Sequence, residues 1–168
     1  MKYIIRLFCS FAVLIPATAS AQNAPKLEGT YKDWTSYSRT AAGDKSCYAI
    51  TPAKTKSPST VRHGDVYFMI SNWKSGVATE QPSFLTSYPL NPNIPPEAKI
   101  GSNKITFYVA GNEAFIEETA NEQRLVKAVR AGSTMTVTAQ SKRGTRVSYS
   151  FSLAGSTAAL KKAKDVCR

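Results

Sequence analysis

The chain has 168 residues and a formal charge of +11, from 22 Lys and Arg against 11 Asp and Glu, with one His and three Cys. That length suits one domain with a substantial core. Beyond the first 21 residues only two cysteines remain, far apart at Cys47 and Cys167, and with one histidine they cannot make a standard zinc site; no Gly-x-Ser-x-Gly elbow, phosphate-binding Gly-Lys loop or His-Glu-x-x-His helix is present.

The first residues read MKYIIRLFCSFAVLIPATASA. Lys2 and Arg6 precede an apolar run, Leu7 to Ile15, and Pro16 leads into the small residues Ala17 to Ala21. This is the anatomy of a secretory signal peptide, residues 1–21, with Ala19-Ser20-Ala21 as the expected cleavage site. The run is far short of the ~20 apolar residues that span a bilayer, so cleavage is expected to leave a protein that is not integral to the membrane. The expected location is the periplasm, or the cell surface and medium. Residues 22–168 then form a single β-sandwich domain. Cleavage removes Cys9 and leaves Cys47 and Cys167. Two cysteines in an exported chain are expected to pair as one disulfide.

Along the mature chain most segments read as strands. Ser46 to Ile50 is a short β-branched and aromatic run closed by Pro52, and Thr51 to Thr60 reads as a polar loop. Val66 to Trp73 is apolar on both faces, as in a central strand. Pro89 to Glu97, with four prolines, is an extended connection. Lys104 to Val109 places Ile105, Phe107 and Val109 on one face of a strand, and Glu113 to Glu118 is a weaker strand after Gly111-Asn112. Leu125, Val126 and Val129 fit a helix or a strand over residues 122–130. Thr134 to Ala139 and Thr145 to Leu153 alternate cleanly, with Met135, Val137, Tyr149 and Phe151 inward. Gly144 between them supplies the positive φ of a tight hairpin turn. From Ser156, read as an N-cap, the chain becomes helical, with Leu160, Ala163 and Cys167 on one face. Many short strands, frequent turns and a terminal helix indicate an all-β sandwich.

Charge is distributed unevenly. Residues 22–123 carry ten cations and ten acids; residues 124–168 carry ten cations and one acid, Asp165, so 10 − 1 = +9 lies in the last third. Lys142, Arg143 and Arg146 mark the hairpin, and Lys161, Lys162 and Lys164 mark the helix. If these surfaces adjoin, the six cations form one patch for an anionic envelope or host-surface component. No recognition helix or aromatic-plus-basic strand motif points to nucleic acid. His63 is read as an exposed loop residue, and Glu117 and Glu118, adjacent on a strand, would face opposite ways. No catalytic, metal or cofactor set emerges from these residues.

Tyr31-Lys-Asp-Trp34, Cys47-Tyr48, Val66 to Ser71, Ile100-Gly101, Leu125-Val126, Ser141-x-Arg-Gly-Thr145, Tyr149 to Leu153, Gly155 and Ala159-Leu160 leading to Cys167 occur in this order. The ordered set resembles the invasion-associated locus B family of small exported alphaproteobacterial proteins, over essentially the whole mature chain. The resemblance implies an immunoglobulin-like β-sandwich and an envelope or secreted protein, linked in pathogenic members to host-cell entry. It brings no catalytic residues. The rival reading is a small periplasmic hydrolase or ligand-binding protein whose pocket the sequence hides.

Overall fold

The structure, a computed structural model, describes residues 24–168. The proposed signal segment 1–21 lies outside the described residues. Twelve strands and two helices follow in chain order: β1 (Lys26–Tyr31), β2 (Trp34–Ala41), β3 (Asp44–Pro52), β4 (Thr55–Ser57), β5 (Val66–Trp73), β6 (Gln81–Thr86), β7 (Glu97–Ile100), β8 (Asn103–Thr106), β9 (Tyr108–Ala110), β10 (Glu113–Phe115), α1 (Thr119–Ala131), β11 (Thr134–Gln140), β12 (Arg146–Ser152) and α2 (Ser156–Val166). They build two antiparallel sheets, one ordered β1-β2-β3-β5-β6-β10-β9 and the other β4-β12-β11-β7-β8. The expected β-sandwich with a short C-terminal helix is therefore present. β5 is the middle strand of the larger sheet, as its two-sided apolar pattern requires.

The core lies between the sheets. Phe68 and Phe84 of the larger sheet meet Phe151 of β12 at ring-centroid distances of 6.1 and 6.4 Å, and Phe84 meets Tyr149 at 5.8 Å. Trp34 is fully buried against Phe68, and its indole N–H donates to Ser152 O at 3.0 Å. The seven-stranded sheet is wider than its partner, and α2 covers the excess by packing on β1, β2 and β3. There the inward positions are small, Ser36, Ser38 and Ala49, so the helix backbone approaches closely. Ser36 Oγ donates to Ala159 O at 2.9 Å, which satisfies the buried hydroxyl. The pairing of Cys47 with Cys167, Cα atoms 5.6 Å apart, fastens the end of the helix to β3.

Several sequence expectations are corrected. Lys104 to Val109 is not one strand. β8 belongs to the smaller sheet and β9 to the larger, and the chain crosses between them at Phe107, whose N–H donates to Pro96 O at 2.9 Å. Phe107 is buried at the crossover, so the alternation continues through a change of sheet. The polar loop after Thr51 contains β4, which edges the smaller sheet by pairing with β12. Residues 122–130 are helical, within α1. Glu117 and Glu118 lie beyond β10, and Glu118 occupies the N-cap of α1. Ser156 is not an N-cap. Gly155 takes that place at φ 93°, and Ser156 Oγ donates instead to Val129 O at 3.0 Å, joining the two helices.

The β11–β12 turn matches expectation. Gly144 has φ +91°, its N–H donates to Ser141 O at 2.8 Å, and Ser141 N–H donates to Thr145 O at 2.9 Å. A Cβ at Gly144 would meet nothing within 4 Å, so the cost of a side chain there is conformational. Gly144→Val is expected to lower stability by about 1–2 kcal/mol, checked by chemical denaturation. A loss near zero would mean that the turn relaxes to another type.

Candidate functional site

The hairpin turn does not project freely. Lys142 N–H donates to Pro89 O at 2.9 Å, and Ser141 bridges Leu90, which ties the tip to the connection after β6. Facing it is the segment 61–65, held by a two-way contact: Asp65 N–H donates to Ser87 Oγ at 2.8 Å and Ser87 Oγ–H donates to Asp65 O at 2.9 Å. Between the two walls lies a cleft of about 590 Å³. Arg62 stands on one side and Lys142 and Arg143 on the other, with Val61, Tyr88 and Pro89 among the lining residues. No carboxylate lines it. Arg62, Lys142 and Arg143 are exposed, and no ion pair engages them among the described residues. Arg146 is also exposed but does not line the cleft. It occupies the strand position between inward-facing Thr145 and Val147, so the alternation turns it away.

At this cleft His63 departs from expectation. It is 8% exposed rather than solvent-facing. Nε2 lies 2.8 Å from Pro58 O and Nδ1 lies 2.8 Å from the Tyr149 hydroxyl, which in turn contacts the Tyr88 hydroxyl. A carbonyl only accepts, so Nε2 carries the proton. In the neutral imidazole Nδ1 then accepts from Tyr149, and Tyr149 accepts from Tyr88. Burial, and then the hydrogen bond with Tyr88, pushes the Tyr149 hydroxyl far above the ordinary tyrosine range; burial also raises that of Tyr88. Both phenols therefore remain neutral donors and acceptors. Neither imidazole nitrogen faces a serine, cysteine or carboxylate. Ser87, which also lines the cleft, gives its proton to a backbone carbonyl. The cluster does not have the nucleophile–base–orienter order of a hydrolytic site.

The helix lysines lie elsewhere. Lys161 pairs with Asp165 at 2.6 Å and Lys164 with Glu80 at 3.3 Å, while Arg130 of α1 pairs with the other oxygen of Glu80. Burial opposes the charge on Glu80, but Arg130 and Lys164 outweigh it and hold the carboxyl below its usual range. Glu80 directly precedes β6, whereas the hairpin docks beyond its far end at Pro89. β6 has six residues, so about 20 Å of strand separates the two groups at ~3.3 Å per residue. The single patch of Lys142, Arg143, Arg146, Lys161, Lys162 and Lys164 is thus corrected to two clusters. Only the hairpin cluster is free of acids. The cause is topological: the seven residues of β12 carry the chain away from the hairpin before α2 begins. A larger, more open cleft of about 1430 Å³ lies beside Glu80, between residues 76–81, α1 and Lys164. Burial raises the Glu122 carboxyl there. No group of three metal-ligating side chains occurs among the described residues.

The model of the invasion associated locus B (IalB) protein family matches residues 34–164. The chain belongs to the IalB family. Comparison with curated proteins found no match. Among solved structures, the fold is similar to invasion associated protein B of Bartonella henselae, with TM-score 0.57 and 14% identity over 82% of this chain and 95% of that one. At that identity the likeness concerns the fold. Neither match brings an enzyme activity with it.

In this IalB chain the hairpin cations were visible in sequence, because a glycine turn between alternating strands exposes its neighbours. Arg62, Tyr88 and the Tyr149 hydroxyl were not. Tyr149 reads as one more inward aromatic of β12, and its 0% exposure says nothing of its hydroxyl until His63 is placed beside it. The signal available was chemical: a core position that could be Phe, as Phe151 is, carries a hydroxyl that burial obliges to find a partner. Among the described residues no helix is long and apolar enough to cross a membrane.

Proposed function

We propose that this IalB-family protein is exported, is processed after Ala21 to a single domain of residues 22–168, and acts without catalysis in the periplasm, at the cell surface or in the medium. Its role is contact with an anionic envelope or host-surface component, assisting host-cell interaction or entry. The observation that carries this reading is the placement of Arg62, Lys142 and Arg143 around one cleft with no carboxylate among its lining residues. Cations with no partner keep their full potential for an incoming anion, whereas Lys161 and Lys164 already spend theirs on Asp165 and Glu80. The hydrolase alternative has less support, since His63 lies against tyrosine and backbone oxygens.

The test is retention on anionic vesicles or lipopolysaccharide. Changing Lys142, Arg143 and Arg146 together to Ser is expected to leave the fold intact, because the side chains are exposed. Retention is expected to fall, and added salt is expected to release the parent protein. Equal retention of folded mutant and parent at low salt would reject the reading.

A further inference from the structure

We propose that the cleft between Arg62 and Lys142–Arg143 is a binding site for one phosphate group carried by a lipid headgroup, with Tyr88 as its oriented hydrogen-bond donor. The proposal rests on the functional reading above and narrows it from a charged surface to a defined site.

Three features favour a site over diffuse attraction. The cations come from two separate segments, residue 62 and residues 142–143, each independently fastened: the first by the Asp65–Ser87 contact, the second by Lys142 N–H on Pro89 O. Their separation is therefore set by the fold. Two guanidinium groups supply forked donors suited to a tetrahedral oxyanion. Between them Val61, Pro89 and Val147 give the cleft apolar surface, beside Ser87, Ser141 and Thr145. Val61 is 37% exposed beside the cations. Apolar surface at the mouth of a cationic cleft suits a phosphate joined to an acyl glycerol more than a free, fully hydrated phosphate.

The third feature is the buried relay. With neutral His63, each hydroxyl proton points inward, so Tyr88 offers the cleft only lone pairs, which repel an anion. An imidazolium has N–H on both nitrogens. Nδ1–H then donates to Tyr149, Tyr149 donates to Tyr88, and the Tyr88 proton is released to the cleft. No heavy atom need move. The charged and titratable groups around His63 are Lys56, whose ammonium donates to Gly64 O, then Arg62 and Asp65 on its own segment, Tyr149 of β12, Tyr88, and Lys142 and Arg143 of the hairpin. A phosphate bound in the cleft adds negative charge beside this group, so phosphate binding and the outward turn of the hydroxyl protons favour each other by linkage.

The experiment uses the full processed chain with phosphatidylcholine vesicles containing phosphatidic acid, and, separately, free glycerol phosphate. Arg62→Ala and Tyr88→Phe are compared with a Lys161→Ala/Lys162→Ala control on α2, outside the cleft lining, after each is shown to be folded. Arg62→Ala is expected to weaken vesicle binding about tenfold, the scale of one hydrogen bond to a charged group, and the control by less than twofold. Tyr88→Phe, which keeps the ring and removes only the donor, is expected to weaken vesicle binding about tenfold as well. If Arg62→Ala behaves like the control while the hairpin triple mutant still loses binding, attraction is diffuse and the site is rejected, though the function stands. If the triple mutant also binds normally, the function fails as well. Free glycerol phosphate binding as tightly as the vesicles would overturn the lipid source. Vesicle binding unchanged in Tyr88→Phe would overturn the role of Tyr88.

Discussion

Gly155→Ala is expected to be strongly destabilising, lowering stability by about 3 kcal/mol or more. Two costs add. The backbone holds φ +93°, where an L side chain is strained by about 1–2 kcal/mol. A Cβ there would also stand 1.9 Å from Tyr31 O and 2.7 Å from Tyr31 C. Those are backbone atoms of the β1–β2 turn, which is itself tied down by Asp33 N–H donating to Ala154 O at 3.2 Å. Relief requires α2 to move off β1–β3, with further loss of packing. The comparison is Gly144, which shares a positive φ but faces open space. Denaturation of the two alanine variants side by side isolates the contact. Equal losses would show that strain alone governs and that the Tyr31 approach relaxes at no cost.

Removing the Cys47–Cys167 bridge is expected to cost about 2–5 kcal/mol, the usual range for a native disulfide. The residues are 120 apart in sequence, so the bond closes nearly the whole domain in the unfolded chain. It also holds the last turn of α2, where Lys45 Nζ donates to Val166 O at 2.8 Å. Cys47 is fully buried and Cys167 is 7% exposed, so substituting both with Ala leaves small apolar groups rather than unpaired polar ones. The loss should therefore reflect the missing link more than new unsatisfied groups. The double variant and the reduced parent should melt alike. Mass spectrometry of unreduced peptides should find the 47–167 pair. Two free thiols in exported protein, or a melting point unchanged by reduction, would defeat the prediction.

Some of this molecule is written locally. Alternation with period two placed Met135, Val137, Tyr149 and Phe151 inward, because a half-buried strand leaves no other choice of face. The turn at Gly144 followed from backbone sterics, and the pairing of Cys47 with Cys167 from there being two cysteines in residues 22–168. The location of +9 in the last third is arithmetic. What the sequence does not carry is the sheet to which a strand belongs. Ile105 and Val109 share a pattern yet serve different sheets, since an inward residue looks the same on either side of a sandwich. Nor does it carry distances between segments. The hairpin and α2 are neighbours along the chain, but they attach at opposite ends of β12, so one expected basic patch becomes two. Ser156 has the chemistry of a cap, yet the close approach of Tyr31 reserves that place for Gly155. His63, read as an exposed loop residue, becomes the interior end of a relay only when residues 86 positions apart bring its ring to Tyr149. Side-chain type limits what each residue can do; the packing of remote segments decides which partners it meets.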